Sequence, residues 1–244
     1  LALAKRTSQN ASIILLEEPE NHLSHTRLNQ LIKCISEQYA EKQILISTHS
    51  SLVANKLGLR KVMLLENLRI IKFSELSGDT YNFFKKVAGY DTLRMILCKK
   101  AILCEGDSDE LVIQKAYMQL NDGRLPIEDG IEVISVGVSF LRFLEIADCI
   151  QTKIAVVTDN DGDLAAINKK YENYIGANQK EYIKICVDDV VDTGTLKIGK
   201  SDYNYNTLEP KLLKANGLDK LNRIFGTAYT DEDDLRKFMK HNKT

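Results

Sequence analysis

The sequence predicts an α/β protein built from two parallel sheets, the first of them partial, with helices flanking both. Three observations predict it. Short apolar runs rich in β-branched residues recur at 12–16, 43–47, 101–104, 131–136 and 153–158, lengths that suit buried strands. Helical patterns lie between them, from about Ser24, from Glu110 to Leu120 and from Phe140 to Ile150. Several of the runs end in acids or in a histidine, at the strand ends where α/β sheets bind ligands. Strand and helix alternating at this spacing make a parallel sheet wrapped by helices.

A chain of 244 residues holds one large domain or two modest ones, each with its own core. The formal net charge of −1 provides no global attraction for nucleic acid, so polyanion binding has to come from local basic patches or bound metal. Five cysteines, Cys34, Cys98, Cys104, Cys149 and Cys186, are scattered without C-x-x-C spacing. They read as reduced thiols of a cytoplasmic protein, mostly small core residues. No apolar run reaches the length of a membrane span and no signal peptide opens the chain, so no membrane partner is expected. Leu1 at the start and the abrupt His241-Asn242-Lys243-Thr244 ending read as a piece of a longer protein.

The first strand, Ser12 to Leu16, runs into Glu17-Glu18-Pro19-Glu20-Asn21-His22-Leu23. A helix with Leu28, Leu31, Ile32 and Ile35 on one face follows, then the strand Gln43 to Ser47 ending in Thr48-His49-Ser50-Ser51. Acids after one strand and a histidine after the next are expected to meet at one sheet edge. ILLEEPENHL followed by ISTHSS resembles the second half of an ABC-type ATPase head of the kind found in DNA-repair ATPases. The resemblance implies that Glu17 touches Mg²⁺, in place of the commoner aspartate. It gives Glu18 the polarising of the attacking water and His49 the sensing of the γ-phosphate. The glycine-rich phosphate loop G-x-x-x-x-G-K-[ST] is absent from the sequence. ATP is therefore expected only in the full-length protein, because a phosphate cradle needs those backbone N–H groups and that lysine.

Lys61 to Glu66 and Arg69 to Phe73 read as a hairpin and Asp91 to Leu97 as a short helix. The polar Ser77-Gly78-Asp79-Thr80 and Gly89 mark the best boundary. The expected division is 1–75 for the ATPase part, 76–98 for a linker and 99–244 for a second domain.

In that second domain the strand Ala101 to Cys104 leads into Glu105-Gly106-Asp107-Ser108-Asp109-Glu110, with Ser108 as the expected helix N-cap. Ile131 to Val136 is the next strand, Phe140 to Ile150 a helix, and Lys153 to Thr158 a strand delivering Asp159, Asp161 and Asp163. Carboxylates at alternate positions past a buried strand can share a divalent metal. AILCEGDSDE followed by VVTDNDGD resembles the Toprim domain, a Rossmann-like parallel sheet shared by topoisomerases, DnaG-type primases and a group of nucleases. An ABC head running into a Toprim domain resembles the OLD (overcoming lysogenization defect) nucleases, the group that includes the nuclease subunit of Gabija anti-phage systems.

That resemblance implies a two-metal site for Mg²⁺ or Mn²⁺. Glu105 and Asp109 match E-G-x-[ST]-[DE], Asp159 and Asp161 match D-x-D, and Glu209 in Asn206-Thr207-Leu208-Glu209-Pro210 resembles a later acid of the family. Lys243 resembles its catalytic lysine, with Glu105 and Asp159 the other residues expected to be catalytic. Two such ions about 4 Å apart stabilise the attacking and leaving oxygens of a phosphodiester, and a lysine adds charge against the developing negative charge. The implied partners are DNA, further copies of the chain joined through the ATPase region, and a helicase or other defence-system protein.

Other readings compete residue by residue. Glu209 reads equally as an acid favoured at a helix N-terminus, and Lys243 equally as a solvated lysine. Asp163 reads as a helix cap and Asp107 as a solvated loop residue. Asp188, Asp189 and Asp192 read as an acidic loop. The Asp159-to-Asp163 alternation is not an EF-hand loop, because Leu164 and Lys170 stand where glycine and glutamate are required. His22 and His25 lack the further ligands of a zinc site. Lys197, Lys200, Tyr203 and Tyr205 could track a nucleic-acid backbone, but read more simply as a flexible loop.

The reading that follows is a metal-dependent DNA endonuclease regulated by an ATPase head, in anti-phage defence or DNA processing. A non-catalytic assembly scaffold and a topoisomerase or primase relative are the alternatives.

Overall fold

The computed structural model describes residues 12–21, 23–38, 42–66, 68–86 and 91–242. Strands β1 (Ile13–Glu17) and β2 (Gln43–Ser47) pair in parallel, Ile14 opposite Ile44 and Glu17 opposite Ser47. Helix α1 (His25–Gln38) is the crossover. It buries Leu28, Ile32 and Ile35, the i, i+4, i+7 stripe of an amphipathic helix, while Leu31 stays half-buried. Leu28 and Ile32 meet Leu52 and Val53 of α2 (Ser51–Leu57).

A hairpin follows as expected, β3 (Met63–Glu66) against β4 (Arg69–Lys72), with Leu64 opposite Ile71. Strand alternation turns Leu64 and Ile71 toward the core and leaves Leu65 and Ile70 exposed. The stretch read from sequence as a linker carries α3 (Gly78–Lys86) and α4 (Asp91–Leu97). Phe84, Met95 and Ile96 from these helices lie in the same core as Leu103 and Val156.

The second sheet holds β5 (Lys100–Cys104), β6 (Ile131–Ser135), β7 (Lys153–Val157) and β8 (Ile183–Cys186), all parallel, in the order β6-β5-β7-β8. Its crossovers are α5 (Asp107–Leu120), α6 (Phe140–Ile150) and α7 (Leu164–Lys170). Helix α6 buries Phe140, Phe143, Leu144, Ile146, Ala147 and Ile150. Side chains of this kind contribute about 1.5–3 kcal/mol each when fully buried, so α6 and the strands dominate the stability of the sheet.

Residues 197–205 are not a flexible loop. They form a small hairpin, β9 (Lys197–Ile198) against β10 (Ser201–Asp202), turning at Gly199. Tyr203 and Tyr205 then pack edge to face, ring centroids 5.0 Å apart, and the Arg236 guanidinium lies over Tyr205. These rings serve internal packing and do not line up as a base-stacking platform. Helices α8 (Leu208–Asn216), α9 (Leu218–Phe225) and α10 (Glu232–His241) close on their own small core of Leu213, Leu221, Leu235 and Met239. Among the described residues no helix is long and apolar enough to cross a membrane.

Candidate active site

Two sheet edges carry the residues that the sequence singles out. At the larger sheet, β5 and β7 run side by side with Leu103 opposite Val156, so Glu105 and Asp159 emerge from neighbouring strands at one edge. The Glu105 carbonyl accepts from Gly137 N at 3.0 Å and Ser135 Oγ at 3.3 Å, which pins its backbone to the turn after β6. Past β7, Asp161 takes a left-handed conformation (φ 50°) followed by Gly162 (φ 86°), reversing the chain tightly. Asp161 Oδ1 accepts from Asn204 Nδ2 at 3.2 Å. Asp163 caps α7, accepting from Ala166 N at 2.9 Å.

Helix α5 starts earlier than expected. Gly106, not Ser108, is its N-cap, and Asp107 is its first residue rather than a loop residue. Asp109 turns its carboxylate back onto Gly106 N at 2.9 Å, and an acid is favoured there by the helix dipole. Glu209 occupies the first turn of α8. Lys243 lies outside the described residues, as does His22. Among the described residues, no three histidine, cysteine, aspartate or glutamate side chains converge to hold a metal ion as placed. The donor set is nevertheless all carboxylate, the hard oxygen chemistry of Mg²⁺ or Mn²⁺. Mg²⁺ is commonly held by one or two carboxylates while water and phosphate complete its shell. In donor chemistry, the acids at this edge suit a divalent ion.

Two nucleophilic side chains near this edge, Cys104 and Tyr171, are not activated. Burial, reinforced by Asp109, Glu110 and Asp107, pushes the Cys104 thiol up to about 12. Burial also pushes the Tyr171 phenol to about 12, with the Glu105 charge adding to the rise. Neither group is ionised near neutral pH, so neither is primed to attack.

The smaller sheet brings its acids and histidine together as the strand ends predict. His49 Nδ1 lies 3.5 Å from Glu18 Oε1 and 3.4 Å from Glu20 Oε1. Glu18 also has a left-handed backbone (φ 39°), with its N–H donating to Ser47 O at 2.8 Å and Asn21 Nδ2 donating to its carboxylate at 2.6 Å. Glu17 closes β1 opposite Ser47 and is exposed.

Two family models match the chain. One, described as the Toprim domain of overcoming-lysogenization-defect-protein-like proteins, covers residues 96–161. The other, an AAA domain described as a putative AbiEii toxin of a type IV toxin–antitoxin system, covers residues 1–55. In this order the two matches correspond to an OLD-family arrangement of an ATPase-like region and a Toprim domain. No curated protein gives a significant match. The Toprim match contains Glu105, Asp109, Asp159 and Asp161, and the AAA match contains Glu17, Glu18 and His49.

Several residues around both edges escaped sequence reasoning. Glu20 accepts from Thr48 Oγ1 at 2.6 Å and from His49 N at 2.9 Å. Burial works against its charge, but these bonds outweigh it and hold the carboxyl below its ordinary value. Its signal was visible in the triplet of acids around Pro19. At the Toprim edge, Asn160 and Asn206 are almost fully buried (1% and 5% exposed), rare for asparagine, and both are hydrogen-bonded through their amides. Lys211 Nζ reaches Asp188 at 2.6 Å, Asp192 at 2.7 Å and the Val190 carbonyl at 2.8 Å. Burial works against its ammonium, but the two carboxylates outweigh it and raise the Lys211 pKa. Two acids of the loop 188–192, Asp188 and Asp192, are thus paired with Lys211 from within the chain.

Proposed function

We propose that this chain is part of a metal-dependent endonuclease that cleaves DNA at the Toprim edge under the control of an ATPase head. Residues 1–75 supply the end of that head and 99–244 the nuclease unit. The observation that carries the reading is the adjacency of β5 and β7, which sets Glu105 and Asp159 at one edge of a parallel sheet in an OLD-like Toprim domain. Toprim domains generally use divalent metals. A bound Mg²⁺ or Mn²⁺ pair supplies Lewis-acid stabilisation to the oxygens of a phosphodiester displacement. Glu105, Asp159 and Asp161 would hold one ion, and Asp109 with Glu209 would help to hold the second. For Asp109 this requires release from Gly106 N, since its carboxylate is otherwise spent on the helix N-terminus. Lys243 places a positive charge against the phosphate as negative charge develops.

In the complete ATPase, Glu17 would hold Mg²⁺, Glu18 would orient the attacking water and His49 would read the γ-phosphate. The contact of His49 with Glu18 and Glu20 supports a coupled sensor, because a shift of the imidazole moves the acid that positions water. Copies of the chain associate through the ATPase region, and a helicase or other defence-system protein is the further partner. The setting is cytoplasmic, in anti-phage defence or DNA processing.

One observation favours a second reading, a non-catalytic scaffold: the acids do not converge as placed, and two of them are held by Gly106 and Asn204. Incubating supercoiled plasmid with Mg²⁺ or Mn²⁺, with Glu105→Ala as control, separates the two. Nicking or linearisation that requires metal and disappears in the variant is the expected result. Intact plasmid despite demonstrated metal binding would shift the assignment to the scaffold.

A further inference from the structure

The three acids past β7 and the acid on α8 come from segments about 50 residues apart in sequence, and something has to set their separation. The segment 188–192 lies between them and is gripped from both sides. From the β7 side, the buried Asn160 amide donates to the Asp188 carbonyl at 2.8 Å and the Val190 carbonyl at 3.0 Å, and its Oδ1 accepts from Gly162 N at 2.9 Å. From the α8 side, buried Asn206 pairs with the backbone of Asp192, accepting from its N–H at 2.7 Å and donating to its carbonyl at 2.9 Å. Lys211, one turn into α8, reaches Asp188, Val190 and Asp192.

The two sides also touch directly. A Cβ at Gly162 would stand 3.2 Å from Asn206 Nδ2, so Asn206 packs against the D-x-D turn itself. Asn204 completes the contact by donating to Asp161 and accepting from Asn206 N at 2.9 Å. Glu209 follows Asn206 by three residues, at the start of α8. Its backbone position relative to Asp159 and Asp161 therefore passes through this set of bonds.

We propose that Asn160, Asn204, Asn206 and Lys211 form a positioning clasp, closed through the segment 188–192, that sets the Asp159–Asp161 turn against Glu209 for metal binding. The inference rests on the metal reading above. Groups that orient metal-binding acids without touching the ion commonly change affinity by about 10–100-fold. Unlike the acids, none of the four clasp residues is a carboxylate, so their loss removes geometry and not anionic ligands. Asn204 is exposed, so Asn204→Ala removes its bonds to Asp161 and to Asn206 N without opening a cavity in the core.

The test is Mn²⁺ titration by calorimetry on wild type, Asn204→Ala and Asn206→Ala, with melting temperature as a folding control and plasmid nicking at two Mn²⁺ concentrations. Wild type is expected to bind Mn²⁺. Asn206→Ala is expected to bind about 10-fold more weakly, and Asn204→Ala several-fold more weakly while still melting cooperatively close to wild type. Excess Mn²⁺ is expected to restore nicking to Asn204→Ala. Equal affinity in wild type and the folded Asn204→Ala variant would overturn the clasp while leaving the metal site standing. No Mn²⁺ binding by wild type would overturn the metal reading, and the clasp with it.

Discussion

The two parallel sheets of this chain follow the same rule of placing acids past a strand, yet they differ in completeness. The β5–β8 sheet is a closed unit, with Leu103, Ile134 and Val156 fully buried beneath α6. The β1–β2 pair has helices against one face, while Ile13, Leu15 and Leu45 are exposed on the other. Their ligand edges differ in the opposite sense. At the small sheet Glu18 and Glu20 already meet His49, whereas at the large sheet Asp109 is held by a helix-cap bond and Asp161 by an amide. A well-packed scaffold therefore does not by itself bring like charges together. Carboxylates repel one another unless a cation is between them.

The largest expected effect breaks the comparison at the chemistry. Asp159→Ala should lower metal-dependent plasmid nicking by more than about 100-fold, since it removes a ligand rather than a supporting group. Glu18→Gln should leave Mn²⁺ affinity at the Toprim edge within about twofold, because the two sites lie on separate sheets. Calorimetric titration of both variants checks this, and a large loss in Glu18→Gln would show that the edges are coupled.

Packing comes next. Leu103→Ala should cost about 2–5 kcal/mol in urea denaturation, through transfer and cavity terms together. Leu15→Ala, at 72% exposed, should change stability by no more than about 0.5 kcal/mol. A cost above that for Leu15 would mean that the outer face of β1 is covered in the folded protein.

Two glycines sharpen the contrast between strain and contact. Gly123 (φ 83°) has open space where a Cβ would stand, while Gly162 (φ 86°) has Asn206 there. Gly123→Ala should cost about 1 kcal/mol from backbone strain alone. Gly162→Ala should cost more, and of the two only Gly162→Ala should weaken Mn²⁺ binding. Thermal melts and titration on the same samples read both.

The smallest effect is electrostatic. Hydrogen bonding to Lys211 holds the Asp188 and Asp192 carboxyls below their ordinary 3.8, with Lys214 helping at Asp192. Depressed carboxyls contribute stability above the unfolded value and lose it as pH falls through the folded one. Stability should therefore decline from about pH 4 downward, and Lys211→Met should flatten that decline. On the alkaline side the raised Lys211 contributes fully below its ordinary 10.5 and is lost as pH climbs through its higher folded value. Both groups are solvent-screened, so denaturation curves at pH 3, 6 and 11 are expected to differ only modestly.

Local pattern sufficed for strands β1 to β7, for α6 at Phe140–Ile150 and for the acids at the strand ends, because periodicity and strand termination are encoded within a few residues. It also placed His49 beside the acids after β1, since parallel pairing brings the ends of neighbouring strands together. Tertiary structure alone decided the rest. Asn160 meets Asp188 and Val190 across 28 and 30 residues, Asn206 meets Asp192 across 14, and Lys211 meets Asp192 across 19. The helices in 76–98 join the core through Phe84 and Met95, whose neighbours are likewise distant in sequence. An asparagine or lysine has no intrinsic preference that names such a partner. The pairing exists because folding buries these polar groups and leaves each unsatisfied one at a cost of about 1–3 kcal/mol.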